Sequence, residues 1–231
     1  MATIISIETS TNVCSVCLSV DGRIVANKED HQGQNHSSVL GGFVKELVET
    51  AKTQNMSIDA VAVSCGPGSY TGLRIGVSTA KGLAFGLDAK LISVSTLKTI
   101  AGSIARTHQE LNGNAWICPM IDARRMEVYN AFFNTSLGQE RDTAATIVNE
   151  NSFYDILAER QVVFCGNGAP KCKKAITHSN AIFIDDADPL AKDMVPLAEA
   201  LFHAGKFEDI AYFEPYYLKE FVAEHSQKKL W

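Results

Sequence analysis

The sequence lacks any hydrophobic run long enough to cross a membrane, and it lacks a basic segment ahead of its first apolar residues. A membrane-spanning helix needs about 20 consecutive apolar residues. Here Met1-Ala2-Thr3 leads directly into an expected strand, without the charged start of a secretory signal. The 231 residues are 46% hydrophobic and can therefore bury a sizeable core. We expect a cytoplasmic protein of one large or two modest domains that does not bind a membrane.

Positive charge is also scarce, since the formal net charge is −5. Nucleic-acid affinity comes largely from lysine and arginine side chains that neutralise phosphates, so this balance argues against a protein that grips nucleic acid by itself. Residues 1–104 carry 8 Lys+Arg and 8 Asp+Glu, whereas residues 105–231 carry 13 and 18. The neutral first half is therefore the better candidate for a protein-binding surface.

The cysteines do not indicate a disulfide framework. All six lie in or at the ends of expected strands, which favours reduced, buried thiols. Two of them, Cys14 and Cys17, have the CxxC spacing of many metal sites. Residues three apart on a strand point to opposite faces, so we expect no shared metal there.

The densest pattern in the chain lies between Gly66 and Gly86 and reads GPGSYTGLRIGVSTAKGLAFG. A short apolar run ends at Cys65, which predicts a buried strand that enters a tight turn. From Gly72 onward, the apolar residues recur at helical spacing, and a neighbouring face is almost bare of side chains. That face contains Gly72, Gly76, Thr79, Leu83 and Gly86. An interior glycine weakens a helix by about 0.5–1 kcal/mol, so we expect another backbone to approach it closely.

A strand, a glycine turn and a helix could also form a phosphate cradle. A P-loop, however, places a lysine and a hydroxyl directly after its last glycine. Here Leu73 and Arg74 follow Gly72. We therefore expect a tight turn with a packed helix rather than a nucleotide site.

A second helix with interior glycines is predicted from about His36 to Lys52, where Gly41 and Gly42 interrupt a broad apolar stripe. Our hypothesis is that the two glycine-containing helices lie side by side and bind another subunit. Charged substitutions such as Gly76→Glu should then abolish association and leave the monomer folded. The predicted interface residues are Val39, Phe43, Leu47, Gly72, Gly76, Thr79 and Leu83.

Histidine spacing predicts no metal site. Two ligands on one helix are usually a turn apart, and the residue one turn after His36 is Leu40. None of the other five histidines forms a recognisable ligand pair with a neighbour.

The order of elements predicts an α/β protein in two lobes. Each half opens with strands joined by a tight turn, and the first of these turns is the hairpin signal Asp21-Gly22. We place the first lobe, with the partner-binding helices, at residues 1–104. The second lobe is placed at residues 105–231, and its last segment is a candidate for packing back on the first.

Five segments together resemble the TsaB (YeaZ) family. They are the opening strand, residues 66–85, the motif Asp122-Ala-Arg with Glu-Val-Tyr129, residues 166–169, and Pro215 to Lys219. The last segment departs from the family pattern because Lys219 replaces an arginine. A lysine cannot form the two parallel hydrogen bonds of a guanidinium group, which puts a bidentate contact at this position in doubt. The resemblance implies the two-lobed actin-like ATPase (ASKHA, ribonuclease H-like) fold.

The resemblance also implies a function. Members of this family are non-catalytic scaffold subunits in the synthesis of threonylcarbamoyladenosine (t6A) on bacterial tRNA. We would then expect a TsaD-like catalytic subunit and a TsaE-like ATPase as partners, and a homodimer when the chain is alone. The tRNA would be reached only through the complex, and ATP or ADP would bind only at the level of the complex.

Two alternatives remain open at this point. In the actin-like fold, an acidic residue and a glycine in the first turn approach a phosphate, and here Glu8 is followed by Ser10 at the glycine position. A small-molecule kinase would place Glu8, Asp122 and the loop with Gly166 and Gly168 around ATP. We favour structural roles for both acids. A metalloprotease-like protein would need the second histidine that is absent after His36.

Overall fold

The computed structural model of the protein describes residues 2–33, 35–111 and 113–218. Its first sheet has the strand order β3-β2-β1-β4-β5. Strand β1 pairs antiparallel with β2 and parallel with β4. The strands are β1 (Thr3–Glu8), β2 (Cys14–Val20), β3 (Arg23–Asp30), β4 (Ala60–Gly66) and β5 (Lys90–Ser95).

The second sheet repeats this topology. Its order is β8-β7-β6-β9-β10, and β6 pairs antiparallel with β7 and parallel with β9, as β1 does with its two neighbours. The strands are β6 (Trp116–Asp122), β7 (Glu127–Asn134), β8 (Gln139–Ile147), β9 (Val162–Cys165) and β10 (Ala181–Phe183). The predicted two-lobed α/β fold is therefore confirmed.

The helices follow the same repeat. In each lobe one helix follows the third strand, one the fourth and one the fifth. In the first lobe these are α1 (His36–Thr53), α2 (Tyr70–Gly86) and α3 (Thr96–Thr107). In the second they are α4 (Tyr154–Leu157), α5 (Ala169–Cys172) and α6 (Ala191–His203).

Helices α1 and α2 cover one face of the first sheet, while α6 packs on its other face. Helix α3 packs on the second sheet. Helices α3 and α6 touch each other between the two sheets, where Arg106 and Asp193 form an ion pair of 2.6 Å. The last helix of each lobe thus packs on the sheet of the other lobe.

This exchange changes the division of the chain. The predicted boundary between residues 104 and 105 falls inside α3, whose apolar face belongs to the second lobe by packing. Helix α6 and the segment after it pack on the first sheet, where Glu208 bridges to Leu91. Lys219 lies outside the described residues. No helix in the described ranges has the length and apolar character needed to cross a bilayer.

Two glycines of α2 are required by contact with the end of β1. A Cβ atom at Gly72 would lie 2.1 Å from the Thr9 carbonyl oxygen, and one at Gly76 would lie 2.2 Å from Thr9 Oγ1. The Thr9 hydroxyl donates a hydrogen bond of 2.8 Å to the Gly72 carbonyl. The close backbone approach expected from the sequence is therefore made by the chain's own first strand.

The buried positions of three predicted interface residues correct our assignment. Gly72 and Gly76 face Thr9, and Leu47 is 1% exposed within the core under α1. None of them can present a side chain to a partner. Gly76→Glu is consequently expected to disrupt the fold of the monomer, contrary to the behaviour predicted from the sequence.

Alanine substitutions can distinguish a glycine that is packed against a neighbouring residue from a glycine that faces open space. We expect Gly72→Ala to lower the free energy of unfolding by about 2–3 kcal/mol, because the new methyl group meets a backbone oxygen. The matched control is Gly82→Ala in the same helix, where a Cβ meets nothing within 4 Å. This control should raise the free energy of unfolding by about 0.5–1 kcal/mol. Urea denaturation measures both changes, and equal effects would contradict the packing argument.

Candidate functional site

The outward surface of α1 and α2 carries glycines that the fold itself does not require. A Cβ atom at any of four positions would meet nothing within 4 Å, and all four residues are exposed. They are Gly41, Gly42, Gly82 and Gly86. Each lies in a helix, where glycine is unfavourable compared with alanine. The helix surface is therefore bare at a free-energy cost that no contact among the described residues explains.

The other predicted interface residues lie on the same two helices. Val39 and Phe43 of α1 and Leu83 of α2 are half-buried and pack against the core with part of each side chain in solvent. Thr79 is also half-buried, and its hydroxyl donates to the Ile75 carbonyl. Helices α1 and α2 lie next to each other, as the hypothesis requires. Partner binding by this surface stays a prediction.

A strap formed by residues 207–217 crosses α2. It begins at β5, where the Glu208 N–H donates to the Leu91 carbonyl at 2.8 Å. It reaches the end of β4, where the Tyr216 N–H donates to the Cys65 carbonyl at 2.7 Å. Midway, the Lys81 ammonium donates to the carbonyls of Ala211 and Phe213 at 3.1 and 3.0 Å. The sequence offered no periodicity that could have predicted this path.

The far end of the strap stacks on the first turn of α2. The rings of Tyr70 and Tyr217 lie 5.1 Å apart. The Arg74 guanidinium sits 4.2 Å from the centre of the Tyr70 ring and donates to the Tyr217 hydroxyl at 3.3 Å. Arg74 and Lys81, which are part of the motif singled out in the sequence, thus hold the strap against α2.

Glu8 is sealed inside the first lobe. Its side chain has no exposed surface, and Oε1 accepts a hydrogen bond of 2.6 Å from the Ser10 N–H. Burial raises the pKa of Glu8 to about 7, although the nearby Ser10 and Ser64 hydroxyls lower it in part. The loop above is closed, since a Cβ at Gly68 would lie 2.5 Å from the Ser10 carbonyl oxygen. In this conformation the carboxyl is not accessible to a nucleotide.

The raised pKa of Glu8 predicts a pH-dependent stability. Between about pH 4.5 and 7, the unfolded chain loses the Glu8 proton while the folded chain keeps it, so the free energy of unfolding falls as pH rises. Above pH 7 this contribution levels off. We expect Glu8→Gln to abolish it and to stabilise the protein at pH 8 by on the order of 3 kcal/mol.

Urea denaturation of both proteins from pH 5 to 8 tests this expectation, with the difference between them as the observable. The control is Glu49→Gln, which removes an exposed carboxylate from α1. Its difference from wild type should not vary over the same range. A parallel pH profile for wild type and Glu8→Gln would show that Glu8 ionises normally.

The candidate loop of the second lobe is built around β6. Gly166 has a φ of 87°, and a Cβ there would lie 2.5 Å from the Met120 carbonyl oxygen. A Cβ at Gly168 would lie 2.9 Å from the Ile121 carbonyl carbon. Between them, Asn167 Oδ1 accepts a hydrogen bond from the Asp122 N–H. Packing against β6 therefore accounts for both glycines.

The cationic partner of Asp122 is a lysine. Its carboxylate accepts a hydrogen bond from the Lys171 ammonium, which also donates to the Glu127 carbonyl. Arg124 contributes its backbone N–H to the same carboxylate at 2.8 Å. The group therefore ties α5 to the β6–β7 turn, in line with the structural role that we favoured.

The histidine and cysteine positions also have structural explanations. His36 is buried, and its Nε2 lies 2.8 Å from the Thr11 carbonyl oxygen. Leu40, one turn later, lies in the core. Cys14 and Cys17 belong to separate apolar clusters, as expected for opposite faces of a strand. Across residues 2–33, 35–111 and 113–218, no three His, Cys, Asp or Glu side chains are grouped to hold a metal ion.

A family model, a curated relative and a solved structure each match most of this chain. A family model described as TsaD, tRNA N6-adenosine threonylcarbamoyltransferase, matches residues 23–227. The chain is 32% identical over 231 residues to the tRNA threonylcarbamoyladenosine biosynthesis protein TsaB of Escherichia coli K12, which covers 95% of this chain and 96% of that protein. It is 34% identical over 136 residues to the TsaB of Bacillus subtilis 168, covering 59% of this chain and 57% of that one.

Among solved structures, YeaZ from Pseudomonas aeruginosa superposes with a TM-score of 0.79 at 25% identity, covering 94% of this chain and 100% of that one. The repeated lobes define a two-lobed α/β protein with the fold of YeaZ. Within that class, the chain belongs to the TsaB (YeaZ) family, which is related to TsaD.

Proposed function

We propose that this chain is a non-catalytic scaffold subunit in the synthesis of threonylcarbamoyladenosine on tRNA. In this role it binds a TsaD-like catalytic subunit and brings a TsaE-like ATPase to the complex. When it is alone, it forms a homodimer through the surface that otherwise binds the catalytic subunit. The tRNA is reached only through the complex, and ATP or ADP binds only at the level of the complex.

The main support for this proposal is the bare surface of α1 and α2. Within residues 2–33, 35–111 and 113–218, four exposed helical glycines have no contact that would explain them. Approach of a partner helix to such a surface would recover the free energy that each glycine loses relative to alanine. The half-buried side chains of Val39, Phe43 and Leu83 would complete an apolar contact around it.

Family membership supports the identity of the partner. The relatives in Escherichia coli and Bacillus subtilis are named as threonylcarbamoyladenosine biosynthesis proteins, and the matching family model is that of the transferase. The inaccessible carboxyl of Glu8 favours a scaffold over the kinase alternative, since a kinase would need that group at its nucleotide.

Charged substitutions on the bare surface test the association. We expect Gly41→Glu and Gly82→Glu each to weaken binding to the TsaD homologue of the same organism at least about tenfold, because a charge would be buried between the partners. Both side chains enter open space, so the melting temperature should stay within about 2 °C of wild type. Size-exclusion chromatography and calorimetric titration measure binding.

The control for this pair is Ile147→Glu, which adds the same charge at a residue of the second lobe that is 71% exposed. Its binding should match wild type. Unimpaired binding by both glycine variants would rule out this surface as the contact.

The pathway is tested separately in cells. Depletion of the protein should lower the threonylcarbamoyladenosine content of bulk tRNA, as measured by nucleoside mass spectrometry. Wild type should restore it, and Gly82→Glu should not. An unchanged nucleoside content after depletion would refute the pathway, whereas rescue by Gly82→Glu would refute only the role of the helix surface.

A further inference from the structure

The two most exposed large aromatic side chains of the described residues flank the contact between Lys81 and the strap. Tyr212 is 85% exposed and Phe85 is 80% exposed. Tyr212 lies between Ala211 and Phe213, whose carbonyls both bind Lys81, and Phe85 is one helical turn after Lys81. Large apolar side chains with this degree of solvent exposure are typical of a contact surface for another molecule.

A groove runs beside this pair, between the end of α2, the start of β5 and the strap. Its apolar lining includes Phe85, Leu91, Phe207 and Ile210, with a volume of about 490 Å³. Phe207 is 39% exposed and adds a third aromatic surface. The groove is held open by the strap, which Glu208 fixes to Leu91.

The charges that line the groove are mainly negative. The lining residues include three acidic residues, Asp88, Glu208 and Asp209, and one basic residue, Lys90. Of these, Glu208 also accepts a hydrogen bond from the Ser93 hydroxyl. The Lys90 Nζ lies 6.0 Å from the centre of the Phe207 ring, so this surface already accommodates one cation against an aromatic face. Aromatic faces next to carboxylates favour guanidinium or ammonium groups. The same carboxylates repel phosphates, which disfavours nucleic acid as the occupant.

We propose that this groove binds a short segment of a partner protein that carries arginine or lysine beside a large apolar residue. The apolar residue fills the groove between Phe85 and Phe207, and the cation lies over the exposed rings near Asp88 and Asp209. Arginine and aromatic residues are the side chains that most often dominate the energy of such contacts.

This surface borders the bare surface of α1 and α2. Phe85 follows Gly82 by three residues, which places it about 60° from that glycine around the helix axis. Phe85 lies on the stripe of Arg74 and Lys81, which faces the strap. A partner on the bare surface and a basic segment in the groove would therefore bind as neighbours.

The test uses the full chain and a fluorescent nonapeptide of alternating arginine and leucine with blocked ends. Anisotropy titration gives its affinity, and backbone amide shifts in NMR give its location. We expect saturable binding, with the largest shifts in residues 85–91 and 207–212. A peptide with glutamate in place of arginine should bind at least about tenfold more weakly.

Three variants sharpen the test. Asp88→Asn with Asp209→Asn removes two charges and keeps the local geometry, because asparagine tolerates the positive φ of 53° at Asp88. Asparagine can also accept the two backbone hydrogen bonds that Asp209 receives from Ala211 and Tyr212. We expect at least about fivefold weaker binding for this double variant and for Phe85→Ser. Ile147→Ser is the control on an equally exposed apolar residue and should bind as wild type does.

Three results would overturn the proposal. The first is equal affinity of wild type, Phe85→Ser and the double variant. The second is an NMR footprint elsewhere on the surface. The third is preference for oligouridylate RNA over the basic peptide, which would mean that the exposed rings stack on bases.

Discussion

The contact between Thr9 and α2 determines how the first lobe is built. Thr9 follows β1 directly, and its carbonyl and hydroxyl touch the helix where Gly72 and Gly76 leave out a side chain. This contact sets the distance and orientation of α2 relative to the sheet. The opposite side of the helix, with Arg74 and Lys81, is then turned to the strap, and the two exposed glycines lie on the flank.

Several parts of this structure could be predicted from the sequence because the signal was local. Strand β6 has a local signal, since its seven mostly apolar residues precede a turn. The Ser95 hydroxyl caps α3 at Lys98 N, as is typical of a serine between a strand and a helix. The Asp21-Gly22 turn joins β2 and β3, as its hairpin signal predicted, and β3 continues through polar residues to Asp30.

Other parts could not be predicted because they depend on distant residues. Strand β8 begins Gln139-Glu-Arg-Asp and lies at an edge of its sheet, so its charged side chains stay in solvent and show no apolar alternation. The strap has no period of its own and is held by Lys81 from another element. The sequence pattern identified the glycines of α2. The lack of a side chain, however, does not reveal which neighbouring residue occupies the space beside each glycine. Thr9 occupies the space beside Gly72 and Gly76, whereas no described residue occupies the space beside Gly82 and Gly86.

The two lobes share a topology but differ in the helices that cover their outer faces. Helices α1 and α2 span 18 and 17 residues, and their counterparts α4 and α5 span 4 residues each. The repeat is therefore asymmetric, and the described part of the second lobe has no helix surface equivalent to the first. Assembly through a surface that occurs once per chain ends when two such surfaces meet. If the bare surface mediates self-association as proposed, the duplicated architecture would therefore form closed pairs and not a filament.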